Sequence, residues 1–194
     1  MTSSSGGLWA AHTATDNAHL IQYDPHFMNE HIVAEGFADA ARRLRLSYRA
    51  QAWDDVILLP FMFLWKHAIE VQIKTNIRDL AKIRRSQGET GPQVDEASVK
   101  RRLQYGLGHD LAGLASEHAE HLVALAVQAL PEAVLETVHG LAEMDNKSGT
   151  AFRYPGILGA PKANVDFTGL AQSLDDAYSL LSVVIDAVTD GQGV

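Results

Sequence analysis

From Phe61 to Ile77 the chain reads Phe-Met-Phe-Leu-Trp-Lys-His-Ala-Ile-Glu-Val-Gln-Ile-Lys-Thr-Asn-Ile, with apolar residues spread over nearly the whole circumference of a helix. A helix of that kind belongs at the centre of a fold. It also carries His67, Glu70 and Lys74 at offsets of three and four, which stacks the three side chains on one face. A carboxylate in apolar surroundings must be paired or neutralised, because burial costs it far more than an exposed ion pair returns. The stretch therefore requires polar partners from elsewhere in the chain. Without them, Glu70 and Lys74 reduce to an ordinary intrahelical pair and His67 to a hydrogen-bonded core residue.

At 194 residues, nearly half of them hydrophobic, the chain is long enough for one well-buried domain and short for two. It has no Cys, which rules out a disulfide framework and a thiolate metal site and suits a reducing cytoplasm. Met1 to Gly7 is small and polar, without the basic and apolar regions of a secretory signal. The longest apolar run, Val56 to Trp65, is too short to span a bilayer, so no membrane partner is expected. The net charge of −8 is unevenly spread: residues 42–102 carry +6 and the two flanks are acidic. Arg78, Lys82, Arg84, Arg85, Lys100 and Arg101 in the basic segment are candidate nucleic-acid-binding residues, against the alternative of a solvated helix end.

Hydrophobic spacing is helical wherever it is legible, which predicts an all-α fold. A first helix is expected from about Phe27 to Ala50, with Ile32, Phe37, Ala40, Leu44 and Tyr48 inward and Arg42, Arg43, Arg45 and Arg49 outward. Asp54 or Asp55 can cap the central helix, which reaches Arg85, with Pro60 tolerated near its start. After a break at 86–92, a short helix covers Glu96 to Tyr105, followed by a turn at Gly106 to Gly108. Further helices begin at Asp110 and near Pro131. A Gly- and Pro-rich loop spans Asp145 to Asn164, and the last helix starts at Asp166 or Thr168. The expected organisation is a partly flexible tail over 1–25, one bundle over 26–190 and a flexible end over 191–194.

Two further segments can meet the central stripe. Gly108-His109-Asp110-Leu111 places a His at the start of a helix, with Asp110 where the helix dipole favours an anion. Phe152-Arg153-Tyr154-Pro155 fixes an Arg between aromatics, and Arg153 to Glu70 is the expected pairing.

These three blocks, Ala68-x-Glu70 followed by Lys74, then His109 to Leu114, then Arg153-Tyr154-Pro155, resemble in order and spacing the HEPN superfamily, the higher eukaryotes and prokaryotes nucleotide-binding domain. The resemblance covers roughly residues 35–190. It implies a four- to five-helix bundle with a long loop before the last helix, frequently a homodimer. Many members are metal-independent ribonucleases of toxin–antitoxin, phage-defence and CRISPR systems. Others are noncatalytic nucleotide- or partner-binding domains. Ribonuclease members usually carry an Arg and a His with four to six residues between them near the start of the last helix; here no His follows Arg153. Arg102 and His109, with six residues between them, satisfy the spacing further upstream.

For RNA cleavage, His67 or His109 would transfer protons near neutral pH while Arg153, Lys74 or Arg102 held the phosphate. Catalytic candidates are thus His67, His109, Arg153 and Arg102, with Glu70, Lys74, Asp110 and Tyr154 organising the site. No cofactor or metal is expected. Glu117, His118, Glu120 and His121, and Glu136 with His139, have helical spacings seen in metal sites, but a carboxylate-bridged di-iron bundle needs more such pairs than the chain has. The partners to expect are RNA or a nucleotide, a second copy of the chain, and a cognate antitoxin or defence protein. The competing reading is a structural bundle in which the stripe fixes helix register.

Overall fold

The structure is a computed structural model, and it describes residues 29–145, 152 and 165–191. The assigned tail over residues 1–25, together with Arg153 and Tyr154, lies outside the described residues. The described residues form an all-α bundle with no strand among them: α1 (Glu30–Arg45), α2 (Asp55–Ser86), α3 (Glu96–Arg101), α4 (Leu111–Ala124), α5 (Glu132–Asp145), α6 (Phe167–Ser182) and α7 (Val184–Gly191).

Local chemistry sets most helix starts. Asn29, Asp95, Asp110 and Asp166 each accept a hydrogen bond from the backbone N–H three residues on, that of Ile32, Ser98, Gly113 and Gly169. Each bond satisfies a donor that the first helical turn leaves without a partner. At the other end of α4, Ala126 adopts a left-handed φ of 54° while Val127 N–H closes back on the Leu122 carbonyl. That geometry usually falls to glycine.

Helix α2 is the axis of the bundle, with α1, α4 and α6 packed around it and α5 bridging α4 and α6. Phe61, Met62, Trp65, Ile69, Ile73, Ile77 and Leu80 are all essentially buried. Burying a side chain of this size is worth about 1.5–3 kcal/mol, so α2 holds much of the apolar driving force. It is the one described helix long and apolar enough to cross a membrane, and half of its most apolar stretch is covered by the bundle.

Helix α1 differs from expectation in length and in face. It ends at Arg45, and its buried positions are Ala34, Ala38 and Ala41, while Ile32 is 48% exposed. A stripe of small residues lets α1 lie close against the large side chains of α2, which pushes the bulkier residues to the flanks. For the same reason Arg42 does not face outward. Its Nε donates to Asp175 of α6 at 2.9 Å, and its guanidinium lies over the Trp65 and Tyr178 rings at 5.7 and 5.6 Å.

The last helix is also broken. It stops at Ser182 and resumes at Val184, and the Leu181 carbonyl near the break accepts from buried Asn76 Nδ2 at 2.8 Å. Asn76 Oδ1 in turn accepts from Gln72, whose amide also meets His31, and His31 reaches Asp79 at 3.0 Å. One hydrogen-bonded chain thus ties α1, α2 and the end of α6 together. The α3 helix continues through wider turns from Arg102 to Gly106. Gly108, at φ +53°, then turns the backbone to present His109 just ahead of α4.

Candidate functional site

Glu70 is almost wholly buried on α2 and collects three partners. Lys66 Nζ lies 2.9 Å from Oε2, Lys74 Nζ 2.6 Å from Oε1, and His109 Nδ1 2.8 Å from Oε1. Lys66 also reaches Asp145 Oδ2 at 3.0 Å, so a buried ammonium bridges a carboxylate of α2 and one at the end of α5. The i to i+4 spacing puts Lys66, Glu70 and Lys74 on successive turns of one face. Asp145 at the end of α5 and His109 in the turn ahead of α4 add the other two groups.

Burial alone would push the Glu70 carboxyl up, but the hydrogen bonds and charges of Lys74 and Lys66 outweigh it and hold the group down at about 2. Glu70 is therefore an ionised acceptor. An ionised carboxylate has no proton to give, so the shared proton sits on His109 Nδ1 and Nε2 is the ring nitrogen left to face outward. The His109 side chain is 57% exposed and that of Glu70 only 3%. A buried carboxylate orienting an accessible imidazole is the arrangement by which proton-transfer histidines are fixed in one tautomer.

His67 occupies a different niche from the one its spacing suggested. Among the described residues it makes ring contacts, edge-on to Phe37 at 4.2 Å and stacked with Phe63 at 6.0 Å. Burial lowers its proton affinity, Glu70 opposes that, and the charges of Lys66, His109 and Lys74 reinforce it. His67 is thus a neutral imidazole within the field of the Glu70 cluster.

Arg102 and His109 have different partners. Arg102 Nη2 donates to Glu117 Oε1 at 2.7 Å and to the Gln93 carbonyl at 3.1 Å, Nε donates to the same carboxylate, and Nη1 donates to the Pro92 carbonyl. Burial pushes Glu117 up, but His121 and Arg102 hold it down at about 2. The Glu117–His121 pair that read as a metal spacing belongs to this network, which continues from His121 Nδ1 to Arg84 and on to Glu89. Arg84, grouped in the sequence with the nucleic-acid candidates, is consequently buried. His118 is fully enclosed on the same helix, and burial together with the His121 charge lowers it to about 4.

Asp110 serves as the cap of α4, which fixes the backbone immediately after His109. The remaining basic candidates divide. Arg78, Lys82, Arg85 and Lys100 line one open groove of about 530 Å³ between α2 and α3, a place Arg101 does not share. The expected pairing of Arg153 with Glu70 and the role given to Tyr154 lie outside the described residues.

Sequence reasoning passed over Lys66 and Asp145. Lys66 carried the same signal as Lys74, a charge four residues from Glu70 on an apolar helix. Asp145 carried none, because only the packing of α5 brings it to α2. Comparison of the chain with protein-family models, with curated proteins and with solved structures finds no match in any of the three.

Proposed function

We propose that this chain is an RNA-directed effector that cleaves phosphodiester bonds, with His109 as the proton-transfer group. The observation that carries the reading is the 2.8 Å bond from His109 Nδ1 to the buried Glu70 carboxylate, which leaves Nε2 free to act. In that scheme His109 takes the proton of a ribose 2′-hydroxyl. The 2′ oxygen attacks phosphorus, and Glu70 stabilises the imidazolium that forms. The Lys74 ammonium, 17% exposed beside the same carboxylate oxygen, faces the charge developing on the phosphorane. The leaving 5′ oxygen takes its proton from water, which the His109 imidazolium resupplies, so that the ring returns to its neutral form.

The resemblance to HEPN ribonucleases supports the same reading and adds a toxin–antitoxin or phage-defence setting, a homodimer and a cytoplasmic location as parts of the proposal. A noncatalytic HEPN-like module binding a nucleotide or partner is the second reading. It is favoured by Arg102, whose guanidinium is taken up by Glu117 and two backbone carbonyls. Incubating the purified chain with single-stranded RNA separates the two. Cleavage that disappears in His109→Ala supports the first, and intact RNA bound by wild type supports the second.

A further inference from the structure

The groove between α2 and α3 has no part in proton transfer at His109, and its charges are sorted in an informative way. Arg78, Lys82 and Arg85 form one wall from α2, and Lys100 and Glu96 the other from α3, with buried Val99 on the lining between them. Its volume, about 530 Å³, is that of a small-molecule site.

Three carboxylates also line it, and two are already engaged. Glu30 binds Arg78 and accepts from Thr75 Oγ1 at 3.2 Å, and Asp79 holds His31 Nε2 at 3.0 Å. Arg85 donates to the Val94 carbonyl, which orients the guanidinium without neutralising it. Lys82 and Lys100 are exposed, and neither has an ion-pair partner among the described residues. Glu96 likewise lacks a cation within ion-pair distance among the described residues. An incoming ligand therefore meets two cations with no ion-pair partner among the described residues, Lys82 and Lys100, beside Arg85, whose charge also acts on Asp95, and one carboxylate with open acceptor positions.

Cations on two walls of a compact groove suit a ligand with several negative charges in a short span. Phosphates fit both the point charges of lysine and the fork of Arg85. A carboxylate beside them is repulsive toward the phosphates themselves but accepts readily from a sugar hydroxyl, as acidic residues do at ribose sites. We propose that this groove is a ribonucleotide-binding site in which Lys82, Arg85 and Lys100 hold consecutive phosphates and Glu96 accepts a hydrogen bond from a ribose hydroxyl. The phosphates come either from the backbone of an RNA strand or from a free nucleoside polyphosphate. Lys74 and Lys82 are eight residues apart on α2, about 12 Å along the helix axis, which sets the groove near the cluster that holds His109. The site does not require that RNA be cut.

Calorimetric titration of the full chain with inorganic triphosphate, ATP and a ten-nucleotide single-stranded RNA tests the proposal. Wild type is expected to bind at least one nucleotide probe. The Lys82→Glu/Lys100→Glu double variant is expected to weaken that binding at least tenfold with an unchanged melting temperature, and Lys82→Gln/Lys100→Gln to weaken it less. Glu96→Ala, which removes both the acceptor and its repulsion of phosphate, is expected to lower the affinity for ATP relative to that for inorganic triphosphate. RNA bound without ATP assigns the phosphates to a strand, and ATP bound without RNA assigns them to a free nucleotide. No binding of any probe by wild type, or full affinity in both lysine double variants, overturns the site; an unchanged ratio of ATP to inorganic triphosphate affinity in Glu96→Ala overturns the sugar contact. Binding is read without cleavage, so a failure of the cleavage reading leaves this result standing and distinguishable.

Discussion

Glu70 and His109, thirty-nine residues apart in sequence, share one hydrogen bond of 2.8 Å in which the buried carboxylate accepts and the exposed imidazole donates. The bond fixes which ring nitrogen faces the surroundings. Three of the four partners in this cluster come from one helix, and the fourth arrives because Gly108 turns the chain at the end of the preceding segment.

The first prediction concerns His109 itself. Because its ring is more than half exposed, His109→Ala should leave helicity and melting temperature unchanged while lowering RNA cleavage by about 10²–10⁴-fold, the usual worth of a general acid–base group. Cleavage assays and circular dichroism on the same preparation check both halves. Wild-type turnover in a well-folded variant would sink the assignment.

Lys66 should behave in the opposite way. Its ammonium bridges Glu70 and Asp145 at a side-chain exposure of 5%, and removing one partner of a buried ion pair leaves charge without compensation. Lys66→Ala is expected to cost about 3–5 kcal/mol, read from urea unfolding. A loss below about 1 kcal/mol, the range of a surface pair, would show that the bridge is not closed in solution.

Stability should fall with acid in two stages. His118 has its proton affinity lowered by burial, so the unfolded chain takes up the proton first. Its contribution is intact above pH 6.5 and is lost as the pH falls from there toward about 4. Glu70 and Glu117 are held down at about 2, so their contribution is present above the ordinary carboxylate value of 4.5 and is lost between there and about 2. In urea titrations across pH 8 to 3, His118→Gln should shrink the upper stage, leaving the part that His67, also lowered by burial, contributes. An upper stage that survives undiminished in that variant would assign it to another group.

Ala126 offers a stabilising change. Its left-handed φ of 54° costs an L side chain roughly 1 kcal/mol that glycine avoids, while glycine's own gain in unfolded-chain freedom returns part of the benefit. Ala126→Gly should therefore raise stability by a few tenths of a kcal/mol up to about 1 kcal/mol. Thermal unfolding checks the sign, and a drop in melting temperature would contradict the left-handed cap.

Much of the fold was legible because local rules were obeyed. The central position of α2 followed from its apolar circumference, and the starts at Asp110 and Asp166 from side chains that cap the first turn. Helix α1 is legible only in part: Phe37, Leu44 and Tyr48 pack against the core as their spacing indicates, while Ile32 is exposed. The fully buried positions are Ala34, Ala38 and Ala41, which contribute little hydrophobicity but permit close approach. Arg42 was misplaced, since an aromatic shelf formed by Trp65 and Tyr178 cannot be seen from α1 alone.

For the site, the sequence by itself determined that Glu70 must be compensated, because an ionised carboxylate inside an apolar helix has no other stable state. It also placed Lys66, His67 and Lys74 within one turn of it. Only the tertiary structure decided among them. Lys66 and Lys74 close on the carboxylate, His67 slides between Phe37 and Phe63, Asp145 comes from the end of α5 and His109 from the turn ahead of α4. The reason is geometric: helix spacing fixes which groups share a face, whereas the crossing of other helices over that face fixes which of them stay in reach of water.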